Sequence, residues 1–143
     1  MYRRDYILRL IERFGRMLVA LRNRILRREL TVEELHREIH EIAQQAGLDL
    51  ELARQLDPQV LLMWLSPTGE VDEPKFWLMA ELLYLEGIDA RAGGTDDRWR
   101  GDLTRAHAIF ARLQPDWKPS ADLASAGERC AEIDRLLSQP PKE

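Results

Sequence analysis

Residues 5–30 read DYILRLIERFGRMLVALRNRILRREL. Ile7, Ile11, Phe14, Leu18, Leu21 and Ile25 recur at steps of 4, 3, 4, 3 and 4, a seam that only helical geometry keeps on one side. Leu10 and Met17 widen this seam on one flank, and Leu8, Val19, Leu26 and Leu30 widen it on the other. At 100° per residue the apolar arc covers roughly 200°, wider than a surface helix needs. Such a helix asks for cover on two sides. Twenty-six residues make a rod of roughly 39 Å. Asp5 is placed to cap it, with a charge that suits a helix N-terminus. Gly15 costs about 1 kcal/mol against Ala inside a helix, so its presence points to a close crossing. The remaining face carries Arg9, Arg13, Arg16, Arg24 and Arg27.

At 143 residues the chain is expected to make one domain, 1–143, able to bury a core without staples. The longest apolar run, Val60–Leu65, is far too short to span a bilayer. Asp5, Arg9 and Glu12 interrupt any N-terminal signal segment. The single cysteine, Cys130, excludes an intrachain disulfide and a Cys-only zinc site, so the cytoplasm is the expected compartment. A net charge of −4 hides an asymmetry: residues 1–30 hold nine Arg against three acids, or +6, leaving −10 for residues 31–143. One reading lays a basic helix against an acidic body. The other turns the Arg face toward nucleic acid or an anionic surface. Eighteen Arg against three Lys is a chain-wide preference, and no aromatic residue interleaves with that face.

Thr31-Val32-Glu33-Glu34 is a capping box that starts a second helix over 32–46, with Leu35, Ile39, Ile42 and Ala46 inward and Gly47 as its stop. Asp49 caps a short helix through Leu56. Asp57-Pro58 starts another, whose VLLMWL core at 60–65 is apolar all round and expected to be buried. Short helices thus fill 31–66. Asp72 and Pro74 open a helix over 73–86, ended by Gly87, and 88–95 reads as a loop around Gly93-Gly94. Trp99, Leu103, Ala106, Phe110 and Leu113 form the seam of a helix over 96–113. Pro115 and Pro119 break it, and Ser120 caps the last helix, on which Leu123, Gly127, Cys130, Ile133 and Leu137 repeat the spacing. Residues 139–143 read as a frayed tail. No segment alternates as a strand does. The fold class is all-α, six or seven helices around the long N-terminal one.

Within 72–138, Phe76-x2-Met79-Ala80-x2-Leu83 matches the helix A pattern of a tetratricopeptide repeat (TPR) with apolar substitutes, and Ala106-x3-Phe110 matches the A-x3-F of helix B. About 13 more residues separate them than the repeat allows. The expectation is one TPR-like hairpin with a lengthened loop, capped by the last helix. The run Asp5-Tyr6-Ile7-x-Arg9-x-Ile11-Glu12, with Gly69-Glu70-Val71-Asp72-Glu73-Pro74-Lys75 continued through Ala80–Leu83, resembles an uncharacterised family of short bacterial proteins with a TPR-like helical body. The resemblance implies a fold and brings no activity with it.

His36 and His40 lie one turn apart with Glu33 on the same strip, a set that can hold a metal. Arg37 follows His36, so this is not the HExxH of zinc proteases. A pair of interface histidines is the favoured reading, and no metal or cofactor is expected. His107 reads as a packed or hydrogen-bonded histidine, and Cys130 as a buried structural thiol. Gly93-Gly94-Thr95 lacks the lysine of a phosphate loop, and Asp96-Asp97 would repel a phosphate. Asp89, Asp96, Asp97 and Asp102, with Arg91, Arg98 and Arg100, make either a solvated loop or a small polar site. Trp64 and Trp77 read as core, while Trp99 and Trp117 border the loop and the proline break, as core or as partner anchors.

No nucleophile with a base and no cofactor loop is legible, so a non-catalytic scaffold is expected. Its partner is a protein, a peptide or a second copy, met through the Ile7–Ile25 seam, Trp99 and Trp117. Nucleic-acid or anionic-surface binding through the Arg face is the alternative, and a metal-dependent enzyme using His36 and His40 comes third.

Overall fold

The run Phe76–Ile88, FWLMAELLYLEGI, offers a helix no polar side, and a helix that is apolar all round has to be enclosed. The structure, a computed structural model, describes residues 3–94 and 97–139, with side chains from residue 5 onward. Every residue from Phe76 to Ile88 is buried in it. The described residues form seven helices, of which the fifth carries this run: α1 (Arg3–Leu26), α2 (Val32–Ala46), α3 (Leu50–Gln55), α4 (Pro58–Leu65), α5 (Glu73–Gly93), α6 (Arg98–Phe110) and α7 (Ala126–Ser138). No strand occurs among the described residues, so the fold is all-α.

The centre is α5, with α1 as one of its walls. α1 runs parallel to α5, since Arg22 Nε donates to Tyr84 OH (2.8 Å) and Arg28 donates to the Ala92 carbonyl (3.0 Å). α7 is also parallel, in a register of 48 residues that pairs Glu81 with Arg129 and Tyr84 with Glu132. α6 returns antiparallel, with Trp77 edge-on to Phe110 at one end and Arg91 over Trp99 at the other. α2 folds back on α1, with Tyr6 OH donating to the Gln45 carbonyl, and also packs on α5. α3 and α4 pack on α6.

Most boundaries follow their caps. The Thr31–Glu34 box, Gly47 at φ 70°, Asp49, and Asp57 with Pro58 all sit where the sequence puts them. Three boundaries differ by a turn or more. α1 stops at Leu26, short of Leu30, because Arg28 takes the left-handed cap conformation at φ 57° that usually falls to glycine. α5 passes through Gly87 and continues to Gly93, and Gly94 at φ 64° is the actual stop. Gly87 is there for proximity: a Cβ on it would stand 2.8 Å from Leu103 Cδ2 and 3.3 Å from Asp102 Cβ. The residues thought to lengthen the hairpin loop are therefore mostly helix. α7 begins after a Ser125–Glu128 capping box, not at Ser120, and its first turn lies against Pro115, whose carbonyl accepts from Gly127 N–H at 2.8 Å. Thr95, Asp96 and the tail at 140–143 lie outside the described residues.

α4 departs most from expectation. Leu61 and Leu65 face inward, but Val60, Met63 and Trp64 are 43%, 70% and 37% exposed. An eight-residue helix laid on the outside of α6 is covered on one side only, so a fully apolar sequence leaves part of itself in water.

Gly15 marks no close crossing, since a Cβ there would meet only Leu123 Cδ1 at 3.9 Å, an ordinary contact. Gly15→Ala should therefore stabilise by about 0.5–1 kcal/mol in urea unfolding, through helix propensity and a less flexible unfolded chain. Gly87→Ala should instead cost about 1–2 kcal/mol, because crowding of Leu103 outweighs the propensity gain. Equal effects of the two changes would contradict the packing described.

Candidate functional site

Glu81 and Glu86 stand five residues apart on α5, about 140° around a helix, so they face different neighbours. Glu81 meets Arg129 of α7 through two hydrogen bonds of 2.8 Å. That guanidinium also lies over the Tyr84 ring (4.3 Å) and donates to Glu132 at 3.2 Å. Tyr84 OH in turn donates to Glu132, and Arg22 of α1 donates to both. Burial, reinforced by the Glu132 charge, pushes the Tyr84 hydroxyl well above the usual phenol range, so it stays a donor. A cleft of about 640 Å³ opens beside this group, bordered by Arg22, Lys118, Asp122 and Arg135. The acids on its floor, Glu81 and Glu132, are already held by arginine, which makes the cluster a joint between α1, α5 and α7.

On the other side, Glu86 meets Arg54 of α3 at 2.7 Å, and Arg54 Nε lies 3.4 Å from Asp102 of α6. These are close charge contacts with poor hydrogen-bond alignment. Burial pushes the Asp102 carboxyl up, with Arg54 pulling against it, and burial together with the Glu86 charge does the same to Asp89. Further out, His36 Nδ1 lies 3.3 Å from Glu86 Oε1. The His36 and His40 rings sit 5.0 Å apart, and Glu51 of α3 joins them, with one ligand atom from each of the three residues within 4.8 Å of the others. Glu33, on the same strip of α2, is not in this group.

The seam residues Ile7, Ile11, Phe14, Leu18, Leu21 and Ile25 are all buried by this chain's own helices. On the flank of that seam Val19 and Leu26 remain exposed, at 39% and 58%. Trp99 is buried too, held between the guanidinium groups of Arg91 (5.2 Å) and Arg100 (4.5 Å). Trp117 is half-buried against the core, and Trp77 is buried with its indole N–H on the Ala124 carbonyl. Trp64, read as core, is the exposed one. Cys130 is half-buried, its thiol pushed up by burial and by Asp134, and His107 pairs with Asp134 at 3.0 Å. Of the Arg face, Arg24 lies 3.8 Å from Glu34, while Arg9, Arg13, Arg16 and Arg27 are exposed and form no ion pair among the described residues. The polar loop dissolves into parts: Asp102 is buried and paired, and residues 88–93 are helical.

Two acids in a helix with no polar face were a readable demand for buried cations, and Arg54 and Arg129 supply them. Glu51 carried no such signal, because its distance from His36 in sequence says nothing of their approach in space. Comparison with protein-family models, curated proteins and solved structures finds no match to this chain.

Proposed function

We propose that the protein is a non-catalytic helical scaffold that pairs with a second copy of itself through the outer face of α4. The observation that supports this is the exposed group Val60, Met63 and Trp64 at helical spacing. Folding does not require apolar residues at those positions, and tryptophan and methionine are the side chains favoured as interface anchors. Residues 58–69, PQVLLMWLSPTG, contain no charge in a chain that is 32% charged, so a facing surface must also be uncharged. A second copy brings such a surface by two-fold symmetry, α4 against α4, without burying a single ion. Three anchors make a small patch, so the association is weak, with a Kd on the order of micromolar. Light scattering and sedimentation should show the mass rise with concentration from 16.7 kDa toward twice that value. Met63→Glu with Trp64→Glu should hold it at the monomer while the circular dichroism stays helical. A wild-type monomer at all concentrations would refute self-pairing and assign the patch to a different protein.

A second reading rests on Arg9, Arg13 and Arg16, which share an arc of about 60° on the outside of α1, and on Arg27 in the turn just beyond its end. A stripe of exposed, unpaired guanidinium groups suits a polyanion such as nucleic acid. Binding to heparin and to a DNA duplex should then weaken steeply with salt, and Arg13→Gln with Arg16→Gln should lower the log–log slope by about two. No retention at low salt would dismiss this reading.

A further inference from the structure

His36 and His40 project from successive turns of α2, and the left-handed turn at Gly47 folds α3 back so that Glu51, in its first turn, arrives beside them. Their ligand atoms lie within 4.8 Å of one another, against about 3.3 Å between ligands of a tetrahedral zinc ion with bonds near 2.05 Å. All three side chains are exposed, so small rotamer changes close that difference and an ion can enter from solvent. Behind them, Glu86 is buried and meets Arg54, and its Oε1 lies against His36 Nδ1. A carboxylate can only accept, so in the neutral ring this contact favours the proton on Nδ1, with the Nε2 lone pair free for a metal. This carboxylate–histidine arrangement is the support that metal-ligating histidines carry, and a casual surface pair lacks it.

We propose that His36, His40 and Glu51 bind a first-row divalent metal ion, zinc by the character of the ligands, with Glu86 as the positioning residue behind His36. Two imidazoles and one carboxylate suit zinc and its neighbours and discriminate against calcium and magnesium, which prefer all-oxygen shells. Three protein ligands leave a fourth position for solvent or for a donor from another molecule. The bound ion ties α2 to α3 where the two helices meet α5.

The test is calorimetric titration of Zn²⁺ into the tag-free, chelator-stripped chain. The expected result is one ion per chain, not displaced by excess Ca²⁺. His40→Ala and Glu51→Gln should each weaken binding at least tenfold. Glu86→Gln, which removes no ligand, should weaken it about 10–100-fold. Cys130→Ser should leave it unchanged. No stoichiometric uptake, or uptake indifferent to Glu51→Gln, overturns the site. If Glu86→Gln loses its helical spectrum, Glu51→Gln, at an exposed position, still decides.

Discussion

Glu81 enters the interior on a helix covered on every side, and its charge is tolerated there because Arg129 meets both of its oxygens at 2.8 Å. Removing a carboxylate and a guanidinium from water costs several kcal/mol per ion, and only a well-formed pair with further hydrogen bonds offsets it. Those further bonds are present. Arg129 also holds Glu132 and covers the Tyr84 ring, and Tyr84 and Glu132 both take Arg22. α7 packs chiefly on α6, and its link to α5 is this pairing, which matches Glu81 with Arg129 and Tyr84 with Glu132 at fixed positions and draws in α1. Glu86 plays the same part on the opposite side, where it gathers Arg54 of α3 and His36 of α2.

The surfaces that remain are what the molecule has to work with. Once α5 is enclosed, the Ile7–Ile25 seam of α1 is spent, and the outward features include the apolar strip of α4, the arginine stripe of α1 and the histidine pair of α2. They occupy three different helices, so one can be altered without disturbing the others. No helix among the described residues is long and apolar enough to cross a membrane.

How much of this was legible in the sequence follows from how local each cause is. Caps act over three or four residues, so Thr31, Gly47, Asp49 and Asp57 placed their boundaries well. Gly87 misled because a glycine that ends a helix and one that admits a neighbouring helix look the same until Leu103 and Asp102 are placed against it. Arg28 misled in the opposite sense, since nothing in its side chain announces a left-handed cap. The run in α4 was read as buried because composition alone does not say how many neighbours a helix has. The trio at His36 was half legible: the pair lies one turn apart in sequence, but the third member, Glu51, needed the fold, and Glu33, the neighbour on the strip, stood in its place.

The claim on which the rest depends is that the Glu81–Arg129 pair locks α7 to α5, and a double-mutant cycle in urea unfolding tests it most directly. Arg129→Met should cost about 3–5 kcal/mol by stranding the Glu81 charge, and Glu81→Leu somewhat less because Arg129 keeps Glu132, losses that a domain of typical stability survives. Combined, they should cost clearly less than the sum, because the double variant strands neither partner. Losses that simply add would contradict the account and leave the register of α7 to its apolar contacts alone.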